Sequence, residues 1–276
     1  MNELSHYYTK LFKLAKRYDK NRKRLLYLTL FLLSISIYLS GYILYAFSCI
    51  ALICQIVSWL YKTKIEDINS LAHDLHNIHI IAKAYGNVPS KFELSHLLSK
   101  VSLWIDPKDD EITDNENVDG AIFSSDDDEF GNKKLIKLVH ENCYWNHYMY
   151  KYTYKRNVTI LSISLFFISM AFLLFFPFVK ISPNYDFIRL IFTFLSFAIM
   201  YEFLESTLLL KKASDSMLEM DNDLSRNNVL NEHILLNTFS RYVHLKRIVP
   251  SPPDNLHVKY QDILNKGWSE RAMKNL

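Results

Sequence analysis

Glycine is the scarcest informative residue in this chain. Five glycines in 276 residues are too few to build a phosphate-cradling loop, a kinase-type glycine-rich loop or a nucleophile elbow, and none of those motifs is present. Nucleotide-hydrolysing and Ser-hydrolase chemistry is thereby disfavoured, and the chain is read as a non-enzyme with no cofactor. The three cysteines are odd in number, and Cys49 and Cys54 lie inside an apolar run, so no disulfide framework is expected and a reducing interior suits them. Seven prolines and no recurring apolar-polar alternation leave helix as the dominant element. The first long apolar run ends without an A-x-A cleavage site, which argues against a removable signal peptide.

What the chain does have is segregation. Its mean hydropathy is near zero and its net charge only +3, yet nearly all charge lies outside three apolar blocks, 25–61, 158–179 and 187–210. A helix needs about 20 apolar residues to cross about 30 Å of hydrocarbon, where backbone groups find no water. The block 25–61 is too long for one crossing and divides into Leu25–Leu39 and Tyr42–Leu60 around a tight turn at Ser40 and Gly41. Val158–Val179 and Phe187–Leu210 form a second hairpin across a short Pro-containing link. The 18 Phe and 18 Tyr suit membrane cores and interfaces. The expected fold is an all-α membrane protein: four transmembrane helices in two hairpins with a helical cytoplasmic bundle.

Charge is zoned. Residues 1–24 carry eight Lys/Arg against two acids, and 105–130 carries eleven acids against Lys108. Basic residues flank one side of all four expected crossings (Lys10 to Arg24, Lys62 and Lys64, Lys151 to Arg156, Lys211 and Lys212), whereas the other side offers only Lys180 and Arg189. The positive-inside rule then places both termini and the middle segment in the cytoplasm.

This gives five parts. Residues 1–24 form a basic amphipathic arm whose Leu4, Tyr7, Tyr8, Leu11, Phe12, Ala15 and Tyr18 share one helix face, lying either on an anionic leaflet or on the protein's own polar part. Residues 25–61 form the first hairpin. Residues 62–157 form a helical cytoplasmic segment, with helices to Tyr85 and from Ser90 to about Trp104 and an acidic disordered loop at 105–131. Residues 158–210 form the second hairpin. Residues 211–276 form cytoplasmic helices packing with 62–157: a long one to Ile248, a break at Val249-Pro250-Ser251-Pro252-Pro253, and a short one from about Leu256.

Several clusters invite a chemical reading. Asn115, Asn117, Asp119, Gly120, Ile122 and Asp126 match part of a calcium loop, but the first and last ligand types differ from the pattern, and a disordered acidic loop is the simpler description. His73, His76 and His79 recur every third residue, which fans the outer two about 120° apart and makes a shared metal awkward. Glu202 lies about 22 Å along the last crossing at a rise of about 1.5 Å per residue. It is an intramembrane carboxylate, or else the helix slides so that Glu202 and Glu205 sit at the interface near Lys211 and Lys212. The candidate ligand-binding groups are basic and aromatic: Trp145, Tyr150, Lys151, Tyr154 and Arg156, then Arg241, Tyr242, Lys246 and Arg247. Such a mix stacks on bases and pairs with phosphates, and is equally typical of a membrane-proximal belt.

The layout of two hairpins around a helical segment of about a hundred residues, with a terminal piece containing Ser251-Pro252-Pro253, Tyr260, Arg271 and Met273, resembles the four-transmembrane effectors associated with SMODS nucleotidyltransferases of bacterial CBASS antiphage operons. The resemblance implies a multi-pass protein of the bacterial inner membrane, activated by a cyclic oligonucleotide from a partner nucleotidyltransferase. It also implies homo-oligomerisation and disruption of the membrane by a pore or by bilayer damage, with abortive infection as the outcome. The lipid bilayer is then a partner, and DNA and RNA are not. A small channel or transporter subunit lined by Glu202 and Glu205, or a membrane scaffold displaying its cytoplasmic helices to a protein, are the alternatives.

Overall fold

The structure, a computed structural model, describes residues 2–36, 39, 41–87, 89–90, 92–105, 130–175, 186–226 and 232–274. Among them are seven helices and no strand: α1 (Asn2–Ser36), α2 (Tyr42–Tyr85), α3 (Ser95–Val101), α4 (Asn132–Phe175), α5 (Asp186–Arg226), α6 (Glu232–Ile248) and α7 (Asp254–Lys274). The described residues are all-helical in their regular structure, as the sequence implies. The acidic loop and its calcium-like residues Asn115 to Asp126 lie outside the described residues, as does most of the link between the expected third and fourth crossings.

The helix boundaries follow from local chemistry. Gly86 adopts φ +69 and donates its N–H to the Ala82 carbonyl at 2.9 Å, the left-handed cap that only glycine takes without strain. Gly41, at φ +68, opens the way into α2. Before α3, Ser90 and Glu93 bond reciprocally: the Ser90 N–H donates to Glu93 Oε2 at 2.7 Å and the Glu93 N–H to Ser90 Oγ at 3.3 Å. The Ser90 N–H, together with the Ser90 hydroxyl that donates to the same Oε2 at 2.9 Å, holds the Glu93 carboxyl below its usual range. The helix itself is shorter than the expected Ser90 to Trp104. Pro252 and Pro253 precede α7, and the Leu256 N–H reaches back to the Pro253 carbonyl at 3.0 Å. The long helix expected to Ile248 is described as α5 to Arg226 and α6 from Glu232, with 227–231 outside the described residues.

The chain divides into two compact units. The first comprises 1–16, 66–153 and 210–276. Its buried residues recur at alternating three- and four-residue steps, as in Leu210, Ala213, Met217, Met220 and Leu224 of α5, or Leu235, Thr238, Tyr242 and Leu245 of α6. That stripe is what helix-on-helix packing requires. The arm joins this core through Leu4, Tyr8, Leu11 and Ala15, so of the two seats its sequence allows, packing on the protein's own polar part is the one observed.

The second unit comprises 17–65 and 154–209. Its core is small: Leu26 and Leu33 of α1, Leu44 and Ala51 of α2, and Ile199 of α5. Large apolar side chains also cover its outside, including Phe31, Ile53, Trp59, Phe166 and Tyr201, each at least 60% exposed. Its hydroxyls bond within their own helices: Thr29 to the Leu25 carbonyl, Ser34 to Leu30, Thr159 to Lys155 and Thr207 to Phe203. Among the described residues, α2 is the one helix long and apolar enough to cross a bilayer. The other expected crossings fall on α1, α4 and α5 where they are described.

Candidate functional site

In the first unit, α4 presents two different faces. One carries Cys143 and Tyr150, seven residues apart, and both are buried. Burial pushes the Cys143 thiol and the Tyr150 phenol far above their ordinary ranges, so neither ionises near neutrality. Tyr242 of α6 is likewise fully buried and pushed up by burial. Tyr150 and Tyr242, named as ligand-binding candidates from sequence, are core side chains.

The other face meets α7 and is built of rings. Tyr144, Met149, Leu256, Leu264 and Trp268 form a buried cluster, with Trp145, Tyr148, Tyr152 and Tyr260 packed against it. Tyr152 and Tyr260 stack at 3.9 Å between ring centroids, Trp145 stacks on His257 at 5.6 Å, and Tyr144 meets Tyr148 edge-on at 5.0 Å. Cations border the rings: Lys151 Nζ lies 5.9 Å from the Tyr148 centroid and Lys259 Nζ 5.2 Å from that of Tyr260. Burial pushes Tyr144 up to about 12. Gly267 is the point of closest approach, because a Cβ there would lie 2.5 Å from the Tyr144 hydroxyl oxygen.

A polar lock holds α7 beside this face. Arg271 Nη1 donates to Asp221 Oδ2 at 2.6 Å, its Nη2 donates to Ser225 Oγ at 2.6 Å, and His140 Nε2 lies 3.0 Å from Asp221 Oδ1. Asp221 is buried, and burial alone would raise its carboxyl, but the bonds from His140 and Arg271 outweigh it and hold the group below its usual range. Ser225 Oγ is 3.1 Å from the same His140 Nε2 that faces Asp221. One imidazole nitrogen serving both is not a relay to a nucleophile, which needs the two ring nitrogens used separately.

The basic end of α6 lies with α2 and the arm. Arg247 pairs with Asp74, and Arg241 donates to Glu219 Oε2 at 2.8 Å, so two of the predicted ligand-binding cations are already matched. Among the described residues, Lys246 Nζ meets the Tyr242 ring at 5.8 Å and makes no hydrogen bond or ion pair. Burial pulls it down to about 8. Phe12 meets His73 edge-on at 4.9 Å, and Tyr8 meets His76 at 5.1 Å and His79 at 5.5 Å. Among the described residues no group of three or more His, Cys, Asp or Glu can hold a metal.

Tyr154 and Arg156 belong to the second unit, apart from Trp145 and Lys151. In that unit Glu202 is engaged by Arg22 and by Lys62, whose Nζ lies 3.5 Å away, while Glu205 is exposed. Glu202 is thus matched by cations of α1 and α2, not by the Lys211 and Lys212 that follow it in sequence. The expected site therefore separates: Trp145 and Lys151 border the ring cluster, Lys246 meets Tyr242, Tyr150 and Tyr242 are buried, Arg241 and Arg247 are paired, and Tyr154 and Arg156 belong to the second unit.

Sequence reasoning placed Tyr144, Tyr148, Tyr152 and Trp268 in no site and used Tyr260 only for the resemblance, although the first three recur every fourth residue and the stripe was there to read. It also missed Asp221, whose only signal is an acid set beside Met220 inside the buried stripe of α5. No protein-family model, curated protein or solved structure matches the chain.

Proposed function

We propose that the chain is a non-enzymatic, multi-pass membrane effector that responds to a cyclic oligonucleotide. In this reading four crossings in two hairpins traverse a bacterial inner membrane, both termini are cytoplasmic, and ligand binding drives oligomerisation and loss of membrane integrity. The observation that carries it is the rim of the α4–α7 face, where Lys151 and Lys259 border the part-exposed rings of Tyr148 and Tyr260, in a chain whose other unit is apolar outward. Base–aromatic stacking contributes about 1–3 kcal/mol per base, and neighbouring cations suit phosphodiesters.

A switch also needs an element whose state the ligand can bias. Helices α1, α2, α4 and α5 each contribute residues to both units, which supports transmission along unbroken helices. Pairing of Glu202 with Arg22 and Lys62 speaks against a bare carboxylate lining an ion path, so the channel reading is the weaker one.

The test is dye release from liposomes carrying the full-length chain, challenged with a panel of cyclic di- and trinucleotides. At least one is expected to trigger release, and Lys151→Gln with Lys259→Gln to blunt it. No release and no binding across the panel overturns the proposal. A current that persists without any nucleotide and falls in Glu202→Gln would favour a channel.

A further inference from the structure

A charged imidazole donates from both ring nitrogens, so a histidine whose Nδ1 is shut away from water and from any acceptor is held neutral by its surroundings. Two such groups lie three residues apart on α2. His73 is buried and His76 half-buried, and among the described residues Nδ1 of each is shielded from solvent and has no hydrogen-bond partner. The arm, residues 2–16 of α1, covers them with rings. Phe12 meets His73 edge-on at 4.9 Å, and Tyr8 meets His76 at 5.1 Å and the next imidazole, His79, at 5.5 Å. Arm and histidines all belong to the first unit.

The groups around these rings do not favour a proton on them. Burial acts most strongly against the charged form of both; at His73 the Lys246 and Arg247 charges of α6 add to it, and at His76 the charges of Lys246, His73 and His79. Asp74, beside His73 in sequence, pairs with Arg247. From the arm, the Tyr8 hydroxyl accepts from Ser5 Oγ at 3.3 Å. The burial effect ends once water reaches Nδ1. The arm is the part that can give that access: it buries Leu4, Tyr8, Leu11 and Ala15, whereas α2 is held in this unit by Ile68, Leu71, Ala72, Leu75, Ile80 and Ala82. The element with fewer buried apolar contacts opens at lower free energy.

We propose that the arm is an acid-released strap: protonation of His73 and His76 favours a state in which residues 2–16 leave the histidine face of α2 while the remainder of the first unit stays packed. Linkage sets the direction and the size. An imidazole held neutral under the arm, which titrates near its ordinary value of 6.5 once uncovered, leaves the docked arm at full strength above that value and weakens it as pH falls below. Between pH 7.5 and 5.5 each one shifts the balance toward the open arm by about tenfold. The strap lies on α1 and α2 and stands independently of the function proposed for the α4–α7 face.

The test is amide hydrogen exchange, read by mass spectrometry, on the full-length chain in maltoside micelles at pH 7.5 and 5.5, with rates corrected for the intrinsic pH dependence of exchange. At pH 7.5 the amides of the arm are expected to exchange faster than those of 138–150 in α4, the mark of a separate opening. At pH 5.5 the opening constant of the arm is expected to rise about tenfold for each imidazole uncovered, and so about a hundredfold for the two. His73→Phe keeps a ring under Phe12 and is expected to remove one tenfold step. His76→Phe, at a half-buried position, removes the other. Arm amides protected as strongly as those of α4, an arm that shows no response beyond intrinsic exchange chemistry, or an undiminished response in both variants overturns the proposal.

Discussion

The two units of this chain solve opposite solvent problems with the same element. In the first, striped helix interfaces bury a large core, although Phe92, Leu103, Leu236 and Val258 stay exposed, and several polar groups are matched in pairs: Asp221 with Arg271, Arg247 with Asp74, His147 Nδ1 with the Ser214 carbonyl at 2.8 Å. In the second, a core of a few aliphatic residues coexists with exposed Phe31, Ile53, Trp59 and Phe166. Monomeric soluble proteins rarely expose such contiguous apolar surface, whereas hydrocarbon accepts it. Burial therefore carries opposite meanings in the two units. In the first it marks stability; in the second, on the membrane reading proposed above, exposure marks the face a lipid would cover.

The sharpest way to break that comparison is a matched pair of changes. Asp221→Ala leaves Arg271 and His140 without their buried acid and is expected to destabilise the first unit by about 3 kcal/mol, measured by denaturant unfolding and by proteolysis at α7. Ile53→Lys would be nearly neutral on the surface of a water-soluble protein, yet here it is expected to reduce membrane insertion by about 2.5–3.5 kcal/mol in a glycosylation-mapping assay. Normal insertion of that variant would remove the distinction between the units.

Acid separates them next. His73 is pulled down to about 3 by burial and then by the Lys246 and Arg247 charges, and His76 also falls well below its ordinary value. A base whose folded pKa is depressed contributes stability that is present above its unfolded value near 6.5 and lost as pH falls toward the folded value. The first unit is expected to lose on the order of 1–2 kcal/mol per buried histidine between pH 6.5 and 5, followed by tertiary-structure melting curves. His73→Phe should flatten that dependence. Lys246 runs through a higher window: its depressed value of about 8 predicts a gain in stability as pH rises from 8 toward 10.5, absent in Lys246→Gln.

A subtler test concerns Gly267. Gly→Ala inside a helix ordinarily stabilises by about 1 kcal/mol, but a Cβ here meets the Tyr144 hydroxyl. Gly267→Ala alone is expected to gain nothing, while in a Tyr144→Phe background it gains about 1 kcal/mol, read from a double-mutant cycle. The smallest effect is Lys62→Gln, at less than about 0.5 kcal/mol, because that partner of Glu202 is 41% exposed.

Helix class and most helix ends were legible in the sequence, since Gly86, the Ser90–Glu93 pair and Pro252-Pro253 are local signals whose effects stay local. The site was legible only as composition. Basic and aromatic residues stand close together at 145–156 and again at 241–247, but helix periodicity turns Tyr150 and Tyr242 inward while Trp145 and Lys151 face elsewhere. Charge matching was less legible still. Arg241 and Arg247 find Glu219 and Asp74, and Glu202 finds Arg22, across separations that no local pattern encodes. The ring stripe Tyr144, Tyr148 and Tyr152 was readable by its four-residue step, but its partner Tyr260 lies on a helix more than a hundred residues later.

The inward-turned hydroxyls of the second unit carry a mechanical consequence. Thr29, Ser34, Thr159 and Thr207 each spend their hydrogen bond on the carbonyl one turn back, leaving neighbouring helices with no directional demand from them. The ion pairs of Glu202 with Arg22 and Lys62 do make such a demand, tying α5 to α1 and α2. Removing those ion pairs would leave all four of those hydroxyl bonds intact, so the two kinds of polar contact in this unit can be changed separately.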